Sequence, residues 1–194
     1  MIDALLRIRT SSDWLISSTR SSGEADLQPL VDECGLPIIP GRSLRGLLRS
    51  AVREASALID SSVEDAMFGI EGIEGRFAIG DARLPAEIIS SIDAKEAETR
   101  DLFTIRRRTA IDASTGTAMA GSLRAIEVVV PGLVLHAPVA FKDPEDLPRL
   151  AFAASLIRRL GMGRSRGLGR CTMDFLHAGD VISGETFCES GGTA

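Results

Sequence analysis

The stretch Gly161-Met-Gly-Arg-Ser-Arg-Gly-Leu-Gly169 combines the residue types that hold an oxyanion. Its four glycines permit positive φ angles and close backbone approach, so exposed N–H groups can cradle a phosphate. Arg164 and Arg166 add planar forks of donors, Ser165 a hydroxyl, and Gly163 and Gly167 the turns around them. The flanking patterns place this loop after a helix and before a strand. A Walker loop or a dinucleotide fingerprint needs the reverse order, and the Lys-Ser/Thr pair of a Walker loop is missing. A plain flexible turn is the bland alternative; arginines alternating with a serine between glycines favour phosphate.

Two further stretches carry related chemistry. In Gly35-Leu-Pro-Ile-Ile-Pro-Gly-Arg-Ser-Leu-Arg-Gly46, Pro40 and Gly41 set the start of a helix, with Ser43 the expected N-cap. The free N–H groups and positive dipole end of that helix suit an anion. Arg42 and Arg45 lie in its first turn, where the dipole disfavours cations, so a phosphate partner is the better reading than a capped helix without ligand. Arg49 continues their face. The third stretch, Arg108 to Arg124, is small, polar and punctuated by glycine. It is poorly suited to a core and well suited to lying along a nucleic-acid backbone.

The elements that position these stretches can be read from hydrophobic period. Leu5, Arg7 and Arg9, then Trp14 to Ser18, predict a strand or hairpin at the start, and Ser17 to Gly23 a turn. Leu44, Leu47, Leu48, Ala51, Val52 and Ala55 recur at helical spacing, with Arg42, Arg45, Arg49 and Arg53 on the other face. Arg76 to Asp81 alternates as a short strand. Ala94 to Arg108 is charged and apolar-poor, which predicts a protruding, mobile segment. Leu123–Val130 and Leu133–Phe141 are β-rich and joined at Pro131-Gly132, a hairpin signal. A second helix begins at Asp143 or Pro144, with Leu147, Leu150, Ala151, Ala154, Ile157 and Leu160 on its apolar face. Leu168–Leu176 is the last strand, and a frayed tail follows from Ser183. Strand, helix, strand, insertion, strands, helix, strand is the split βαβ order of an α+β, ferredoxin-like domain. The whole of 1–194 reads as one domain with an insertion at about 82–122.

Composition narrows the function classes. The apolar fraction of 44% and charged fraction of 25% are those of a soluble globular protein, and the net charge is −5. No apolar run approaches a membrane span, and Met1 to Arg9 lacks the pattern of a signal peptide, so a cytoplasmic protein without membrane partners is expected. Cys34, Cys171 and Cys188 are scattered and odd in number, which predicts neither a disulfide framework nor a CxxC metal site. His136 and His177 lie on or beside strands, where a structural role is the expectation. The basic residues are almost all arginine, with Lys95 and Lys142 the only lysines. They cluster beside the glycine-rich stretches, so a local basic stripe can bind a phosphate backbone despite the acidic total. Aromatic residues make up only 4%, with no tyrosine, so contacts to phosphate and 2′-OH are expected rather than base stacking.

The three stretches also resemble a known family. GLPIIPGRSLRG resembles the Gly-x-Pro-x-Ile-Pro-Gly-Ser-Ser-Leu-Lys-Gly segment of the RAMP superfamily in type III CRISPR systems. AIDASTGTAMAGSLRAIEVVVPG resembles the Ala-Ile-Asp-Arg-x-Thr-Gly stretch of its backbone subunits, and GMGRSRGLGR resembles its C-terminal glycine-rich loop. The resemblance runs from about Asp26 to Arg170 with the motifs in order. It implies an RRM-related ferredoxin-like core with a thumb insertion. It also implies a filament of copies along a guide RNA, with complementary target RNA and other effector subunits as partners, and a thumb wedged into the guide–target duplex. The family places a loop aspartate, which promotes metal-dependent cleavage of target RNA, several residues before the Pro-Gly segment. Asp26 matches that position, with Glu24 and Asp32 as the neighbouring alternatives. Ser22-Gly-Glu-Ala25 stands where the family often has a glycine pair and a valine, and the chain is short for a backbone subunit.

The site expected from all this joins Arg42, Ser43, Arg45, Arg49, Arg108, Arg124, Gly163, Arg164, Ser165, Arg166 and Gly167 for RNA with Asp26 for catalysis. Asp26 is also the expected ligand of a divalent metal, Mg²⁺ or Mn²⁺; no organic cofactor is expected. A carboxylate there need only place a metal or accept a proton while the 2′-OH attacks the adjacent phosphate in line. Three rival readings stand beside it. One is a binding-only subunit of the same superfamily. Another is an endoribonuclease that processes the guide precursor, which usually needs a histidine or lysine base near the glycine-rich loop. The third, of another class, is a phosphate-binding metabolic enzyme with a small-molecule pocket.

Overall fold

The computed structural model describes residues 2–17, 25–55, 59–93, 99–119, 121–182 and 184. Among the described residues seven strands and four helices follow one another: β1 (Ile2–Thr10), α1 (Gly41–Glu54), α2 (Ser61–Phe68), β2 (Phe77–Ile79), α3 (Ala86–Asp93), β3 (Phe103–Arg108), β4 (Arg124–Val129), β5 (Val134–Phe141), α4 (Asp146–Leu156), β6 (Cys171–His177) and β7 (Asp180–Ile182). The main sheet has the order β2-β5-β1-β6-β7. Without the additions, β1-α1-β2-β5-α4-β6 is the split βαβ of a ferredoxin-like domain, with β1 and β5 central and every pair antiparallel.

Alternation decides which way the sheet faces. Ala4, Leu6 and Ile8 of β1 and Leu135, Ala137, Val139 and Phe141 of β5 are buried on one side. Leu44, Leu48, Ala51 and Val52 of α1 and Leu147, Leu150, Ala151 and Ala154 of α4 close over them. Phe77, Phe141 and Phe175 run across this layer with centroids 5.5 and 6.0 Å apart. Asp146 is fully buried at the start of α4 and is ion-paired to Arg76 at 2.7 Å. Burial raises its carboxyl above the ordinary aspartate range, against the pull of Arg76. On the other side of the sheet Arg7 and Arg9 both reach Asp174.

The chain between β2 and β5 departs from the sequence expectation. β4 does not form a hairpin with β5. It pairs with β3, from Phe103 opposite Val129 to Arg108 opposite Arg124. Its other edge takes Trp14 at Val129, Leu27 at Ile126 and Asp26 at Ala125. With both edges satisfied, β4 has no backbone groups left for β5. The Pro131-Gly132 turn instead leads into the main sheet, with Gly132 N–H donating to the Thr10 carbonyl at 2.9 Å. The charged stretch expected to protrude therefore ends in a strand, Phe103–Arg108; its residues 94–98 lie outside the described ones, as do Glu24 and the tail from 185. The β3–β4 ribbon is fastened to the body over Leu15, Leu27, Ile126, Val128 and Leu168, a small second core. Among the described residues no helix is long and apolar enough to cross a membrane.

Candidate nucleic-acid interface

Helix α1 starts three residues earlier than a Ser43 N-cap implies. Its N-cap is Pro40, and the N–H of Gly41 donates to the Asp81 carboxylate at 2.8 Å. Ser43 is thus inside the first turn, and one of the free N–H groups expected to meet a phosphate already has an anion. A Cβ on Gly41 would stand 2.6 Å from the Ile79 carbonyl, so glycine lets the helix start against the end of β2.

The arginines of α1 sort into two kinds. Arg42 is exposed, with Ser43 beside it. Arg45 turns inward: Nη1 donates to the Phe77 carbonyl at 2.5 Å and Nη2 to the Phe68 carbonyl at 2.8 Å. Its guanidinium also lies 5.6 and 5.7 Å from the centroids of those two rings. Arg49 is drawn sideways to α2, with Nε 2.6 Å from Glu64, which also binds Arg53. The Arg53 hydrogen bond, more than any other contact, holds the Glu64 carboxyl below its ordinary range, with Arg49 adding to it. Arg45 and Arg49, expected at an RNA surface, are spent on joining α1 to α2 and β2.

The other expected residues converge. All four glycines of Gly161–Gly169 have positive φ, and Gly163 (φ 69°) and Gly167 (φ 87°) bracket a short 3-10 turn at Arg164–Arg166. The side chain of Arg159 donates to the Arg164 carbonyl and pins that turn. At Gly163 a Cβ would stand 3.4 Å from Nη1 of Arg108, so the β3 arginine lies directly against the glycine loop. Arg108, Arg124, Gly163, Ser165 and Arg166 line one cavity of about 820 Å³, floored by Leu15, Leu27, Ile126 and Leu168. The hydroxyls of Thr109 and Ser122, 2.8 Å apart and inside the Arg108 to Arg124 stretch, also rim it.

Arg164 faces elsewhere. It lines two adjoining grooves against α1, of about 420 and 470 Å³, with Ser43, Gly46, Leu47 and Ser50 of the helix and Arg158 and Arg159 behind. No ion pair among the described residues engages Arg42, Arg108, Arg124, Arg164 or Arg166.

Asp26 is exposed beside the larger cavity. Its N–H donates to the Ala125 carbonyl at 2.8 Å, and its Oδ2 accepts from the Ala125 N–H at 2.9 Å. The carboxylate is thereby fixed beside the start of β4, and among the described residues no hydrogen bond to Oδ1 is seen. Asp32 is different: its Oδ1 accepts from the N–H groups of Cys34 and Leu36, and its Oδ2 meets Arg83 at 3.0 Å. It is a turn-forming residue. Asp112 plays a similar part at the ribbon tip, accepting from Ser114 N–H and Oγ. His136 is half-buried on β5, where burial first and Arg7 second lower its basicity. His177 faces the Asp3 carbonyl at 3.0 Å. Cys34 is exposed and Cys171 buried, both as free thiols.

A family model for the RAMP superfamily matches residues 7–172. The chain belongs to the RAMP superfamily. Solved structures of similar fold include a chain of the type III-B Cmr-beta complex bound to cognate target RNA. It is 18% identical with a TM-score of 0.67, over 91% of this RAMP chain and 62% of that one. A chain of the apo Cmr-beta complex is 13% identical with a TM-score of 0.70, over 92% and 99%. This RAMP protein thus spans less than two thirds of the first of them. No curated protein sequence matches it. The ferredoxin-like RAMP fold brings the last two of the three resembling stretches together at one cavity, and the Pro-Gly segment lies across the glycine loop from it.

Proposed function

We propose that this protein is an RNA-binding subunit of a type III CRISPR effector complex, holding a guide RNA and cutting the paired target RNA at Asp26. The observation that carries the reading is the convergence of Arg108, Arg124 and Arg166 on the glycine loop, with Asp26 fixed beside them. Guanidinium forks and a serine on a glycine turn bind phosphate oxygens whatever the base, which a subunit serving any guide sequence requires. Other effector subunits and further copies along the RNA are its partners in this reading.

Cleavage asks for little. The arginines hold the phosphate and draw charge from its oxygens, and Oδ1 of Asp26 faces the substrate to accept the 2′-OH proton or to hold a divalent ion. Among the described residues no three His, Cys, Asp or Glu side chains gather around it. A Mg²⁺ or Mn²⁺ ion here would be held by the Asp26 carboxylate together with phosphate and water, rather than in an all-protein cage. When bound, the ion would neutralise charge developing on the attacking and leaving oxygens.

The test compares Asp26→Asn and Asp26→Ala in the assembled complex on labelled complementary RNA. Asparagine keeps an oxygen for the Ala125 N–H while removing the charge, so Asp26→Asn binds guide and target like wild type and loses cutting by about 10²–10⁴-fold. Cutting at the wild-type rate by both variants refutes the catalytic reading. Because Oδ2 already serves the backbone, a binding-only subunit is the second reading, and it holds if wild type binds both strands and never cuts.

A further inference from the structure

Between α2 and β2 the chain runs Gly69-Ile-Glu-Gly-Ile-Glu-Gly75. Ile70 and Ile73 exchange backbone hydrogen bonds, N–H to carbonyl at 3.2 and 2.9 Å, so the segment is a pinched two-residue turn. Its stem is clamped. A Cβ on Gly69 would stand 2.7 Å from the Gly75 nitrogen, and one on Gly75 would collide with the Met67 carbonyl. Below the stem, Arg76 N–H donates to the Ala66 carbonyl at 3.1 Å. The tip of this braced loop is apolar: Ile70 is 49% exposed and Ile73 63%. Neither belongs to the two cores or packs against them. Two carboxylates flank them. Among the described residues Glu71 has no ion pair, and Glu74 meets only Lys142, at 3.9 Å.

A surface that covers this tip has to be apolar inside and cationic at its rim, because like charges across an interface repel. The cavity under the β3–β4 ribbon has that chemistry. Leu15, Leu27 and Ile126 floor its volume of about 820 Å³, exposed Met162 lines it, and Arg108, Arg124 and Arg166 rim it. Arg108 and Arg124 stand directly opposite each other in the ribbon, a like-charge pair that a carboxylate between them would relieve. The apolar cavity on the open side of the sheet, about 750 Å³, has Asp3 as its one charged lining residue, which is the wrong sign. The groove at α1 with Arg164 offers a single cation in about 420 Å³. No residue of the Ile70–Ile73 turn lines the ribbon cavity of its own chain. Its clamped stem holds it in place, so the cavity it fits is on another copy.

We infer that, in the absence of RNA, the Ile70–Ile73 turn of one copy docks into the ribbon cavity of the next. The isoleucines cover the apolar floor, and Glu71 and Glu74 take the guanidiniums in place of phosphate. The rigid stem spares the ordering cost that a flexible loop would add to docking. Two different surfaces meet, so the contact is heterologous and extends instead of closing. RNA and the turn then compete for the same arginines, and a strand that binds has to displace a neighbouring copy. The competition rests on the RNA reading above; the contact between copies does not.

The test is sedimentation velocity of the RNA-free protein over a concentration series. Wild type should associate as concentration rises and dissociate as salt screens the contact. Glu71→Lys/Glu74→Lys and Arg108→Glu/Arg166→Glu should each associate more than about 100-fold more weakly, the effect of like charges facing each other. Mixed in equal amounts, the two variants should associate again, because each reversed surface then meets its opposite. Ile70→Ser/Ile73→Ser should be monomeric with its charges intact, and circular dichroism melts like those of wild type show the folds preserved. An oligouridylate too short to span two copies should dissolve the wild-type assembly and bind the isoleucine variant at least as tightly, read by fluorescence anisotropy. A monomeric wild type overturns the inference, as does a mixture of the two charge variants that stays monomeric while wild type associates. An assembly that persists with the oligouridylate bound refutes the competition. Failure of the RNA reading looks different: association and rescue by mixing remain, and no variant binds the oligouridylate.

Discussion

Replacing Arg45 by alanine tests how the structure divides its arginines. The side chain donates to two backbone carbonyls, of Phe77 and Phe68, 32 and 23 residues further along the chain, and covers both rings. A hydrogen bond from a charged donor contributes about 1.5–3 kcal/mol. A cation over a ring at a partly exposed site adds about 0.5–1 kcal/mol. The contacts share one side chain and do not add fully, so Arg45→Ala should cost about 3–4 kcal/mol. At about 2–4 °C per kcal/mol for a chain of this size, the midpoint should drop by about 6–16 °C. Arg42→Ala, three residues earlier on an exposed face, should stay within about 0.5 kcal/mol. Urea melts followed by circular dichroism give both values, and anisotropy in parallel gives RNA affinity per folded molecule. The expected pattern is crossed: Arg45→Ala loses stability and keeps affinity, Arg42→Ala the reverse. A stable Arg45→Ala protein with weakened RNA binding would refute the assignment of Arg45 to the fold.

Three further outcomes follow from the same contacts. Substituting Arg108, Arg124 and Arg166 together by alanine should lower the slope of log affinity against log salt by about 2, from about 0.7 per phosphate on a single strand, measured by anisotropy between 50 and 300 mM salt; an unchanged slope places the phosphate elsewhere. Because Arg53 and Arg49 hold the Glu64 carboxyl below its ordinary range, Glu64 stabilises the fold above the unfolded value near 4.5, and that contribution is lost as pH falls through the folded value. Urea midpoints of wild type and Glu64→Gln should therefore differ at pH 6 and converge by pH 3; a gap that widens on acidification contradicts the pairing. Burial pushes the Cys171 thiol up to about 11, so at pH 8 a thiol reagent should modify exposed Cys34 and spare Cys171 until the protein unfolds, as mass spectrometry of the labelled peptides will report.

How far the sequence could be read depended on whether a residue's partner is local. The helical spacing of Leu44, Leu48, Ala51 and Val52 and of Leu147, Leu150 and Ala154 is a local signal, and those residues are the buried faces of α1 and α4. The split βαβ order was legible for the same reason. Pro131-Gly132 signals a hairpin, and the chain does bend there, but a bend does not name the edges that its strands will pair with, and β4 and β5 do not pair. β4 found its partners in Arg108 to Phe103 and in Trp14 and Asp26, which no period in the sequence announces. The run Phe-Thr-Ile-Arg-Arg-Arg of β3 is a strand because β4 pairs with it. Short α2 and α3 and strand β7 carried too few buried residues to register. At the site, glycine spacing marked the loop and the family resemblance marked Asp26 as a candidate, whereas Arg42 and Arg45 look alike until the carbonyls of Phe68 and Phe77 are in place.

That sorting resolves the tension between an acidic chain and an RNA surface. The net charge of −5 counts every ion equally, but a phosphate responds only to the cations that the protein has left unpaired near it. Asp174 takes Arg7 and Arg9, Glu64 takes Arg49 and Arg53, Asp13 takes Arg106, Asp146 takes Arg76, and Asp32 takes Arg83. In each case the carboxylate is at most 12% exposed, so the acids best shielded from solvent are those that neutralise arginines of the scaffold. Among the described residues Arg42, Arg108, Arg124, Arg164 and Arg166 have no such acid, and all five surround the glycine loop or the start of α1. Within a Debye length of about 8–10 Å the field there is set by these side chains and not by the chain total. Arginines of this protein are thus divided by burial of their counter-ions into those that hold the fold and those left open for the proposed RNA.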